Sequence, residues 1–175
     1  MLFVFCYLFC SCTDSLENSK RVEIDDSSPN EVTRNLHLFY SDSARVKIEL
    51  LAAYSERSSQ LKERTIFKDS LRLNFFDDEG NKTTTLSALY GEFNDANETI
   101  FVRDSVRLYN FEKQQLLMTN SLNWNKKDST IHTQDTVWVQ SPEGIARGKG
   151  ITTKQDFREY KILFPEGNLL LNEKK

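Results

Sequence analysis

Beyond residue 12 the chain has no cysteine: Cys6, Cys10 and Cys12 are its only three, and the following 163 residues (175 − 12) carry no thiol. That excludes a disulfide framework, a CxxC zinc site and a cysteine nucleophile from the folded part. Histidine is almost as scarce. His37 and His132 have no metal-ligand partner at i+2 or i+4, so both read as ordinary strand residues. An excess of one charge is missing too: 23 Lys and Arg are interspersed with 26 Asp and Glu for a net −3, and no nucleic-acid face is expected. With 6 glycines there is no phosphate loop; Gly148-Lys149-Gly150 lacks the rest of such a pattern and reads as a bulge or a close backbone approach inside a strand. No acid, base or nucleophile stands at a recognisable spacing. Neither catalytic residues nor a metal or cofactor is therefore expected, and the chain does not read as an enzyme. No apolar run reaches the roughly 20 residues that span a bilayer.

One short apolar run is present. Met1 to Phe9 is uncharged and stops at Cys10-Ser11-Cys12, which reads as a secretory signal peptide over residues 1–11. The small residues before Cys12 resemble the lipobox of bacterial lipoproteins, making Cys12 the candidate for lipidation. Lipid anchoring is physically adequate, because each buried acyl CH₂ contributes about 0.8 kcal/mol and two or three chains hold stably. The following segment, with Asp14, Glu17, Glu23, Asp25, Asp26 and Pro29 and little apolar periodicity, reads as a flexible tether over residues 12–35.

From Leu36 the apolar period is two. Arg45-Val46-Lys47-Ile48-Glu49-Leu50 alternates charge and aliphatic, and the pattern recurs at Leu71–Phe75, Val106–Tyr109, Thr136–Val139 and Tyr160–Phe164. Turn chemistry separates these runs at Asp77–Asn81, Asn94–Asn97, Asn125–Asp128, Ser141–Gly144 and Pro165–Asn168. Residues 36–175 are thus expected to form one all-β domain, a meander of antiparallel strands. A weak repeat overlies them: Tyr54, Tyr90 and Trp124 each close a long strand, at intervals of 36 (90 − 54) and 34 (124 − 90). The triplets beginning at Asp69, Asp104 and Asp135 follow and are expected to be strand starts. They look like a bacterial O-glycosylation triplet, of which only Asp14-Ser15-Leu16 lies in the tether. Such stacked units have open ends, whose unpaired backbone groups are suited to another chain.

Four segments carry a family resemblance: Phe39 to Ala52, Phe75 to Gly80, Leu86 to Tyr90, and Gly148-Lys149-Gly150 followed by Asp156-Phe157-x-x-Tyr160-Lys161-Ile162. Together they resemble LptC proteins of the Bacteroidetes type. The resemblance implies an open, twisted β-jellyroll or sandwich that accepts lipopolysaccharide from inner-membrane ABC transporter subunits. It would pass the lipid to a periplasmic LptA-like bridge protein, from a lipid-anchored position on the periplasmic face of the inner membrane. On that reading the apolar strand faces hold acyl chains, with Val46, Ile48, Leu50, Leu71, Leu73, Phe75, Leu86, Tyr90, Val106, Leu108, Leu122, Trp124, Val137, Val139, Ile162 and Phe164 as groove candidates. Leu36, Leu38 and Tyr40 at one end and Leu169, Leu170 and Leu171 at the other would be the docking edges. The alternative is a structural or adhesive surface lipoprotein with a sealed interior, binding a protein or a glycan.

Overall fold

The computed structural model describes residues 31–57 and 64–167. The stretch read as a signal peptide, Cys12, most of the stretch read as a tether and Leu169–Leu171 lie outside them. Ten strands follow one another: β1 (Glu31–Asp42), β2 (Arg45–Arg57), β3 (Arg64–Phe76), β4 (Lys82–Ala88), β5 (Tyr90–Asn94), β6 (Thr99–Asn110), β7 (Gln115–Asn125), β8 (Thr130–Ser141), β9 (Gly144–Lys154) and β10 (Tyr160–Glu166). All pair antiparallel in one sheet of order β1-β2-β3-β4-β6-β7-β8-β9-β10, with β5 continuing the line of β4 between β3 and β6. The fold is all-β, as the period-two pattern requires. Strand β1 starts at Glu31 and so takes in the last five residues of the stretch read as tether.

Most connections are tight and polar. Ser43 and Ala44 both have positive φ, which turns β1 into β2 in two residues with the twist a hairpin needs. Asp77 closes the next turn by accepting from the Asn81 amide at 2.7 Å. The turns at Asn94, Asn125 and Asp128 are Asx turns in which the side chain accepts from the backbone two residues on. Pro165-Glu166 is different. Both residues belong to β10, and Pro165 pairs with Gly148. A proline fits there because β10 pairs only with β9 among the described strands, so no second neighbour needs its missing N–H.

A line of irregularities crosses the sheet and determines its shape. Pairing slips by one residue in β2–β3, β6–β7, β7–β8 and β8–β9, and β4 breaks to β5 at Leu89, all at the same level. On β3, β6 and β8 the buried residues flanking this level are four apart: Phe67 and Leu71, Val102 and Val106, Thr133 and Val137. Opposite them on β2, β4–β5, β7 and β9 they are three apart: Ala52 and Ser55, Ala88 and Gly91, Thr119 and Leu122, Gly148 and Ile151. The extra residue on alternate strands is a β-bulge, which bends a strand and increases its twist. Asp69, Asp104 and Ser105 occupy it with φ of 68°, 68° and 56°. Asp suits this backbone because its short polar side chain tolerates the left-handed region.

The Asp-led triplets are therefore not strand starts but mid-strand bulges in β3, β6 and β8. The repeat of closing aromatics is corrected as well. Tyr54 and Tyr90 fall within the three-residue step and face outward, whereas Trp124, two residues after inward Leu122, is buried.

Bent along this line, the sheet folds onto itself as two layers. Phe75 on β3 and Trp124 on β7 meet edge to face with ring centroids 5.1 Å apart, although β4 and β6 lie between their strands in the sheet. At about 4.8 Å per strand, a flat sheet would hold them far beyond contact. Leu73, Leu86, Leu108, Leu117, Leu122, Ile131, Val137 and Ile151 fill the space between the layers with almost no exposure, each worth about 1.5–3 kcal/mol relative to a solvated side chain. The β9–β10 loop inserts Phe157 into the same core. There Thr84 Oγ1 and Asn110 Nδ2 donate to the Asp156 carbonyl at 3.1 and 2.5 Å, and Gln115 Nε2 donates to the Phe157 carbonyl.

Candidate functional site

The bend controls which candidates meet. Leu71, Leu73, Phe75, Leu86, Val106, Leu108, Leu122, Trp124, Val137 and Val139 all face the interlayer space and are essentially out of solvent contact. Ile48, Leu50 and Ile162 pack against that core from its rim. Three candidates lie elsewhere, two of them because the inward alternation shifts by one at the bend. Tyr90 pairs with Arg103 on the outer face, its ring under that guanidinium (3.9 Å) and its hydroxyl donating to Glu92 at 2.6 Å. Burial and the adjacent carboxylate push its pKa up to about 12. Phe164 pairs with outward Lys149 and is 65% exposed. Val46, at the start of β2, is exposed beside the Asp77–Gly80 turn.

Most of the interlayer space is thus filled by the protein's own side chains. It opens at one end, beside β1. Leu36, Leu38 and Tyr40 of β1, with Ile48 and Leu50 of β2 and Leu73 of β3, form one wall of a cleft of about 380 Å³. Phe67, Phe93, Ile100 and Trp124 of the other layer form the facing wall. The volume falls in the range of about 300–1,000 Å³ usual for small-molecule sites, and the lining is apolar in the same way.

The mouth of the cleft is polar and crosses between layers. Lys126, at the end of the layer that contains Trp124, places its ammonium 3.8 Å from the centroid of the Tyr40 ring. It also lies 3.9 Å from Glu98, and Arg57 pairs with Asp95 at 2.6 Å beside it. A cation over an aromatic face contributes about 0.5–2 kcal/mol, so the clasp holds the mouth without locking it. The strand that bears Tyr40 is also the edge of the sheet. Val32, Leu38, Phe39 and Tyr40 are all about half exposed, and β1 pairs with β2 alone among the described strands.

Two features of the interior were missed in the sequence. Phe93 and Ile100 flank the Asn94–Asn97 turn, where turn residues mask the period. The polar set Thr84, Asn110 and Gln115 sits at inward positions where alternation calls for apolar residues; their inward spacing on adjacent strands was the available signal. Among the described residues, no three of His, Cys, Asp and Glu are grouped to hold a metal. His37 instead donates to Glu49 on the outer face at 2.8 Å, and Asn74 donates to the same carboxylate at 2.7 Å. Those two hydrogen bonds hold the Glu49 pKa below its ordinary 4.5.

No curated protein matches the chain. A family model does: the one described as lipopolysaccharide-assembly, LptC-related, aligns with residues 1–163. That alignment takes in every described strand except the last three residues of β10, Phe164–Glu166. With the match covering most of its length, the chain belongs to the LptC-related family, a component of lipopolysaccharide transport associated with the periplasmic side of the inner membrane rather than a family of enzymes.

Proposed function

We propose that this protein is a lipid-anchored bridge that takes lipopolysaccharide from inner-membrane ABC transporter subunits and hands it to a periplasmic LptA-like bridge protein. Acyl chains enter the cleft between the layers at the β1 end. The observation that carries this reading is the placement of an apolar cleft beside an exposed edge strand that, among the described strands, pairs with β2 alone. An open edge offers a row of backbone donors and acceptors for strand addition, and Leu36, Leu38 and Tyr40 lie on it. Leu169, Leu170 and Leu171 are proposed for the opposite junction. Cys12 supplies the anchor. ATP hydrolysis takes place in the transporter, so this chain needs only to offer a path.

The sealed middle of the core favours a second reading, a structural or adhesive lipoprotein whose interior never admits lipid. One experiment separates the two. A photo-reactive residue at Leu50, in the cleft wall, is expected to crosslink to lipopolysaccharide in living cells, while one at Arg107, on the outer face, does not. Equal labelling at both positions, or none at Leu50 in a folded and exported protein, would leave the sealed reading in place.

A further inference from the structure

The cleft wall contains one buried donor with nothing to donate to. Trp124 is 2% exposed, and its indole Nε1 is the buried side-chain nitrogen or oxygen found without a hydrogen-bond partner among the described residues. Buried polar atoms are paired in the great majority of cases, and an exception calls for an explanation. Here the orphan sits in a lining made mostly of Leu, Ile and Phe side chains, and the polar residues on the same lining, Tyr40, Arg57, Thr65, Asp95 and Lys126, make no hydrogen bond to it. The ring itself is well held, edge to face against Phe75, so the unpaired N–H is not the result of a loose side chain. Pure hydrocarbon in the cleft would leave it unpaired. An oxygen-bearing chain would not.

We infer that Trp124 is a specificity-determining residue of the cleft, donating its indole N–H to the ester or amide carbonyl of an acylated sugar. This rests on the reading of the cleft as an acyl-chain site and goes further by naming the linkage that it selects. The carbonyl stands where an acyl chain joins its head group, so the hydrogen bond also sets depth: tail between the layers, head at the mouth beside Lys126 and Arg57. Nε1 is out of solvent contact in the closed cleft. The acceptor therefore reaches it as the Tyr40–Lys126 clasp parts and the wall moves with the entering chain.

Two amphiphiles of equal chain length test this: N-tetradecanoyl glucosamine, which has an amide carbonyl, and tetradecyl glucoside, which has none. Trp138→Phe leaves Trp124 as the sole indole, since the chain has two tryptophans and Trp138 is partly exposed on an outer face. In the ¹⁵N-labelled protein, the indole proton is expected to move downfield with the amide amphiphile and not with the glucoside. The amide should also bind roughly two- to tenfold more tightly, as one net hydrogen bond allows, and Trp124→Phe should abolish that preference while still binding the glucoside. A preference retained in Trp124→Phe, or an indole resonance that responds equally to both, would overturn the inference and leave the acyl-chain site standing. If neither amphiphile binds, the acyl-chain site itself fails and the inference with it. Should Trp124→Phe not fold, the resonance measurement decides alone.

Discussion

Replacing Asp104 by valine tests whether the bulge line shapes the fold. Asp104 has a φ of 68° and Ser105 beside it 56°. The left-handed region costs an ordinary L-residue about 1–2 kcal/mol, less for Asp or Asn and most for a β-branched side chain. The side chain contributes little else: its ion pair with Arg103 at 2.5 Å is about half exposed on both sides, and such pairs are worth at most about 1 kcal/mol. The Asp104 carbonyl accepts from the Leu89 amide at 3.0 Å, joining the bulge to the β4–β5 break, but a substitution keeps that carbonyl. Asp104→Val should therefore lose about 1–2 kcal/mol, a fall of about 3–7 °C in thermal midpoint for a domain of this size. Asp104→Asn keeps the shape and the tolerance of positive φ while removing the charge, and should stay within about 0.5 kcal/mol of the parent. Urea denaturation followed by circular dichroism reads both. If Asn and Val destabilise equally, the charge matters and the backbone does not; if Val is neutral, the bulge is not strained and the bend has another cause.

The remaining expectations concern the core, the mouth and the anchor. Leu108→Ala should lose about 2–5 kcal/mol, because Leu108 is wholly buried between the layers. Leu38→Ala, on the exposed edge, should lose under about 0.5 kcal/mol by the same urea titration; equal losses would contradict the layered packing. Cys12→Ala should release the protein from the membrane fraction, since the acyl chains are its proposed hold; unchanged sedimentation with membranes would refute lipid anchoring.

How much of this was legible in the sequence follows from which interactions are local. Strict alternation in Arg45–Leu50 and Leu71–Phe75 reports the two faces of a strand, and both runs are strands. Turns whose side chains cap their own backbone, such as Asn125 and Asp128, are equally local and equally visible. Gly148 and Gly150 were readable too: a methyl on Gly148 would overlap Ile162 and the Phe164 carbonyl, and Gly150 has a φ of 74°. What alternation cannot report is a change of its own phase. The three-residue step from Ala88 to Gly91 turns Tyr90 outward, and the matching step from Ile162 to Pro165 turns Phe164 outward. Asp69, Asp104 and Asp135 were the visible marks of that phase change, but an Asp before an aliphatic run looks the same at a strand start and at a bulge.

The same bend explains why the accessible cleft sits at one end of the molecule. Between β3 and β9 each half-strand has a neighbour on both sides, and the facing layers close on each other through Leu108, Leu117, Val137 and Ile151. At β1 that support stops. Leu38 and Tyr40 have β2 on one side and no second neighbour among the described strands, so their side chains complete the cleft wall while their backbone edge is left unpaired there. A strand added along β1 would extend the wall that Leu36, Leu38 and Tyr40 begin and lengthen the cleft without altering the packed core. Docking and lipid entry would then be one event at one edge, and a partner strand would control access to Trp124 by deciding whether the Tyr40–Lys126 clasp stands open or shut.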